Sequence, residues 1–125
     1  MSDSVIMNIF LSKYCLSDEI VQTIIRHLIK PIDTTSKEHR WYLDYIYDFS
    51  TRTYSGILSH TSVGLQNTAF IKINPFYDSI EISFKKPQDS DPDTHQNFYL
   101  SIFFLAEFFG NLLPSQISGI QTRIL

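Results

Sequence analysis

A single cysteine, Cys15, among 125 residues excludes an internal disulfide and leaves stability to packing alone. No oxidising compartment is required, so a cytoplasmic location is expected. Glycine and proline are also sparse, at four and five. No linker, internal repeat or low-complexity tract divides the chain, and its length fits one domain spanning residues 1–125. A run of about 20 apolar residues, the length of a membrane-spanning helix, is missing. The longest apolar stretch, Phe98 to Leu113, is interrupted by Ser101, Glu107, Gly110 and Asn111. The N-terminal MSDSVIMNIFL carries Asp3 and no Lys or Arg before Lys13. That is the wrong start for a secretory signal, and the segment is expected to be retained.

Concentrated positive charge is absent too. The formal net charge is −3, and Lys85-Lys86 is the only adjacent pair among ten scattered basic residues. Binding to a phosphate backbone needs a basic footprint, so nucleic acid is excluded as the expected partner. His27, His39, His60 and His95 show no His-x-His or His-x-x-x-His spacing, and one cysteine cannot make Cys-x-x-Cys. No metal or cofactor is expected. Asp89, Asp91 and Asp93 open like a calcium loop, but Thr94 stands where the turn needs Gly and Leu100 where a bidentate Glu belongs. Cys15 lies between Tyr14 and Leu16 and reads as a small buried hydrophobe. Glu107 sits in a Phe-rich run where burial would raise its pKa, yet no acid or histidine lies within a helical turn of it. No catalytic residue is assigned.

What the chain has is apolar volume: ten Phe, seven Tyr and one Trp within 43% hydrophobic content. Its arrangement specifies an α+β fold. Ser17 to Lys30 predicts a helix, with Ser17 as N-cap, Asp18 and Glu19 in the positive first turn, and Pro31 ending it. Ile20, Val21, Ile24, Ile25, Leu28 and Ile29 occupy one half of that helix. Val5 to Leu11 has no clean period and leans towards strand.

From Arg40 to Phe49 the period falls to two: Trp41, Leu43, Tyr45, Tyr47 and Phe49 face the core, and Tyr42, Asp44, Ile46 and Asp48 face out. Thr53 to Ser59 continues the sheet after a turn at Ser50-Thr51-Arg52, and Ser62 to Asn67 reads as a loop. Ala69 to Ile73 and Ile80 to Phe84 then pair so that Ile73 meets Ile80, Ile71 meets Ile82, Ala69 meets Phe84 and Lys72 meets Glu81. Pro87 to Gln96 reads as a polar loop, and SQISGIQTRIL as an edge strand. The expected architecture is an antiparallel meander of about four to five strands, covered on one face by helices at about 17–30 and 97–113.

The second helix has more apolar surface than one core needs. Phe98, Ile102, Leu105, Phe109, Leu112 and Leu113 form one stripe, extended by Tyr99, Phe103 and Ala106. Leu100, Phe104 and Phe108 point the other way, among Asn97, Ser101, Glu107 and Asn111. A large exposed apolar patch calls for a partner, so these three are the expected dimer interface.

The preferred partner-binding surface is the outward face of Tyr42, Asp44, Ile46 and Asp48. Its carboxylates are about 13 Å apart at strand spacing, and the acidic loop at Asp89, Asp91 and Asp93 is the second choice. Acids steer the approach of a basic surface and Tyr anchors the contact. In size and charge the chain looks like immunity proteins of bacterial competition systems, without a diagnostic motif. The expectation is an acidic protein-binding module, an immunity protein or inhibitor that occludes a basic, nuclease-type toxin. Its rivals are a small enzyme or ligand carrier with a pocket between sheet and second helix, and a dimeric structural subunit or secretion chaperone.

Overall fold

The computed structural model describes residues 4–29, 40–61, 68–87 and 92–125. In chain order these form β1 (Ser4–Leu11), α1 (Ser17–His27), β2 (Trp41–Asp48), β3 (Thr53–His60), β4 (Ala69–Pro75), β5 (Ser79–Lys85), α2 (Pro92–Leu112) and β6 (Ile117–Ile124). The strands make one antiparallel sheet in the order β2-β3-β4-β5-β1-β6. Four strands follow as a meander. β1 then joins the far side of β5, and β6 closes that end as the second edge.

Two-residue alternation sorts the side chains into two faces. Directly opposed residues share a face, so Met7, Ile82, Ile73, Tyr54 and Tyr47 form one continuous inner row. Val5, Ile9, Ile71, Ile80 and Phe84 are buried beside it. The period of β1 is obscured in the sequence because its outward Ile6 and Phe10 are apolar as well. Val5, Met7 and Ile9 are buried in the core, and Leu11 packs against it.

Helix α1 lays Ile20, Val21, Ile24 and Ile25 onto this inner face over β4 and β5. Its cap is Leu16, with no side-chain hydrogen bond, and Ser17 is the first helical residue rather than the cap. The acids of the first turn carry the N-terminal favour instead. The helix ends at His27, before Lys30 and Pro31, with Leu28 in non-helical geometry donating its N–H to Ile25 O. Ile29 is therefore no longer on the helical stripe, and it is exposed.

Helix α2 begins at Pro92 instead of Asn97, and the expected loop shortens accordingly. The first turn carries no apolar period, although proline at the first helical position is itself a start signal. Phe98, Ile102, Leu105, Phe109 and Leu113 are buried as expected. Two placements differ. Ser101 is fully buried, its hydroxyl donating to the carbonyl of Phe98 at 2.6 Å, which lets a polar side chain sit in the stripe. Phe103, five residues from Phe98 and so roughly 140° round the axis, is 71% exposed.

The β4–β5 hairpin also differs from expectation. Ile73 meets Ile82 and Ile71 meets Phe84, a slip of two residues that leaves Pro75 opposite Ile80 and Lys72 opposite Ser83. A two-residue slip keeps every side chain on its face, so the hydrophobic pattern cannot choose between the registers. The turn chooses: Phe76 N–H donates to Ser79 O at 2.8 Å, closing a loop shorter than the sequence suggests.

Candidate protein-binding surface

Among the described residues, helices cover only the inner face of the sheet. The outer face carries the row Ser4, Lys85, Phe70, Ile57 and Asp44, and beside it the row Arg123, Ile6, Ser83, Lys72, Ser55 and Ile46. Asp44, Ile46 and Asp48 are exposed here, with Ile46 at 79%, and Tyr42 is half-buried. The two-residue period thus places all four expected residues on one surface. The inner set is less uniform. Leu43 is buried, Trp41 and Tyr47 pack against the core, Tyr45 is partly exposed, and Phe49 falls beyond the strand in the turn and is 85% exposed.

Local hydrogen bonding shapes the acidic end of β2. Asp48 accepts from the Ser50 N–H at 2.9 Å and the Ser50 hydroxyl at 2.7 Å. The Ser50 hydroxyl, and then its N–H, hold the Asp48 carboxyl below its ordinary range, so this exposed group keeps its charge into acid. The turn is fastened to α1 by Arg52, whose Nη2 lies 2.9 Å from Asp18 Oδ2. Arg52 has φ 58, a left-handed geometry that reverses the chain tightly.

Two features of the surface are not carried by the pattern of β2 alone. The first is charge placement: Lys72, Lys85 and Arg123, with Glu81 of β5, lie on the same outer face as Asp44 and Asp48, so β2 carries two of the acids of a mixed-charge face. The alternation of β4 and β5 puts those lysines outward, but strand order is needed to bring them onto one surface. The second is that β2 is an edge strand, with β3 as its sole sheet neighbour among the described residues.

Of the acidic loop, Asp89 and Asp91 lie outside the described residues, as do the expected loop at Ser62 to Asn67 and His39. Asp93 falls in the first turn of α2, and its side chain is outside what the structure describes. On α2, Leu100, Phe104 and Phe108 are 43%, 56% and 37% exposed, and Phe103 joins them. The ridge that the sequence projects away from the core is an exposed aromatic strip.

Glu107 lines a cleft of about 640 Å³ between α2, the end of α1 and the start of β2, with His27, Arg40, Trp41 and His60 on its other sides. His60 is the last residue of β3, and it meets Trp41 edge-on at 4.9 Å. His27 Nδ1 lies 2.8 Å from the Thr23 carbonyl, which can only accept, so Nδ1 holds the proton. Arg40 donates Nη2 to Ile29 O at 2.8 Å, while its Nε is buried with no hydrogen-bond partner among the described residues. That guanidinium braces the entry to β2. No tyrosine lines the cleft among the described residues. Cys15 is half-buried at the other end of the sheet, in a groove with no histidine among its described lining residues. Among the described residues no group of three or more His, Cys, Asp or Glu side chains could hold a metal ion, and no helix is long and apolar enough to cross a membrane.

Comparison with known proteins finds no matching family model, no matching curated protein and no matching solved structure.

Proposed function

We propose that this chain is an acidic protein-binding module that occludes a basic protein surface, as an immunity protein or inhibitor does for a nuclease-type toxin. The observation that supports it is the clustering of Asp44, Ile46 and Asp48, all exposed, on an edge strand of a sheet face that no helix covers among the described residues. Acids at such a rim accelerate encounter with a cationic cleft, and the apolar group between them supplies contact area once water is displaced.

The test is affinity capture from the source cell with the wild-type chain and with the Asp44→Asn/Asp48→Asn variant. The reading expects a basic protein retained by the first and depleted from the second, whose nucleic-acid cleavage is silent in the complex and appears on dissociation. Equal retention by both baits, or a captured protein without cleavage activity, contradicts it.

Self-association is a second reading, favoured by the exposure of Leu100, Phe103, Phe104 and Phe108 along α2. A contiguous aromatic strip of this kind is commonly covered in a dimer. Sedimentation over a concentration series tests it, with a concentration-independent monomer as the contrary result.

A further inference from the structure

In an antiparallel sheet successive residues turn their backbone N–H and C=O to opposite sides of the strand. The phase on β2 is set by observation. Leu58, opposite Leu43, turns its carbonyl to the β4 side, where it accepts from Thr68 N–H at 2.8 Å. Leu43 correspondingly turns away from β3, and its N–H donates to Leu28 O at 2.8 Å. Tyr45 and Tyr47, two and four residues on, turn the same way as Leu43. Since no strand among the described residues pairs with β2 on that side, their N–H and C=O groups face outward from an open edge. Natural proteins usually guard such an edge, because it templates strand pairing.

We propose that this open edge is where the partner binds: an extended basic segment adds as a strand antiparallel to β2, pairing its backbone with Tyr45 and Tyr47. The proposal rests on the reading of a basic partner and names how that partner is held. The side chains of the added strand that share the outer face with Asp44, Ile46 and Asp48 lie two residues apart, so the fitting sequence is cation, x, apolar, x, cation.

A second copy of this chain fits poorly. The twofold register that uses both outward residues places Ile46 opposite Ile46 and Asp44 opposite Asp48, so two like-charged pairs face each other. Centring the pair on Tyr45 requires the Leu43 N–H, which Leu28 already occupies. The acids therefore guard the edge against self-pairing and leave it open to a cationic strand.

The probe is the peptide acetyl-Thr-Lys-Thr-Val-Thr-Lys-Thr-amide, compared with the same peptide N-methylated at its third and fifth residues, which keeps the charge but removes the two amide donors aimed at β2. The parent peptide should bind the full chain, lose affinity as salt is added, and slow hydrogen exchange at the Tyr45 and Tyr47 amides. N-methylation should weaken binding by about tenfold or more. Equal binding of the two peptides overturns strand addition while leaving the acidic surface as a charge-steered site. No binding of the parent at millimolar concentration also overturns it, and the occlusion reading is then decided separately by the capture experiment.

Discussion

The backbone N–H of Leu43 donates to the carbonyl of Leu28, the residue that follows α1, at 2.8 Å. This bond joins the end of the first helix to the edge of the sheet. It occupies the first half of the β2 edge, and among the described residues no strand pairs with the stretch from Tyr45 to Asp48 on that side.

Amide exchange in the free chain should report this division. The Leu43 amide is paired outward with Leu28 and the Ile46 amide inward with β3, so both should exchange slowly. Those of Tyr45 and Tyr47 should exchange fastest within β2. Slow exchange at Tyr45 and Tyr47 in the isolated monomer would show the edge to be covered.

Ile25 is buried beneath α1. Replacing it with Ala should cost about 2 to 5 kcal/mol, from lost transfer energy and the cavity left behind. Chemical denaturation reads this directly, and a cost near zero would remove Ile25 from the core.

Gly56 lies opposite Tyr45, and a Cβ there would approach the Tyr45 Cα to 2.7 Å and crowd the Asp44 carbonyl as well. These are backbone atoms that cannot swing aside. Gly56→Ala should destabilise the fold by about 1 to 3 kcal/mol and push β2 away from β3. Wild-type stability in a denaturant titration would contradict the close approach.

The separation into faces was legible in the sequence because one period dictates it: Leu43 buried with Asp44 and Ile46 exposed, Ile24 and Ile25 buried, and Phe104 exposed. Features that the period leaves free were not. The β4–β5 register slipped by two residues without moving any side chain to the other face. Phe49 left the core because the strand had already ended at Asp48. Ser101 entered it because its hydroxyl found a carbonyl one turn back. The edge position of β2 depends on long-range strand order, since β1 pairs with β5 from the opposite end of the chain.

Asp48 gives a pH test. Hydrogen bonds from Ser50 lower its pKa in the folded state, so their stabilising contribution is present above the unfolded value and is lost as pH falls through the folded value. Ser50→Ala keeps the N–H and removes the hydroxyl. The carboxyl titration followed by NMR should therefore move upward in that variant, towards the ordinary aspartate range. An unmoved titration would mean that the hydroxyl does not hold the charge.

Guidance of a basic partner to this edge by the carboxylates of β2, as proposed, is read most directly by stopped-flow association. With the basic protein recovered by capture, Asp44→Asn/Asp48→Asn should leave the fold intact, since exposed charges add little to stability. It should slow association at low ionic strength and flatten the dependence of the rate on salt. Association rates equal to those of the wild type at both low and high salt would place the interface elsewhere on the molecule.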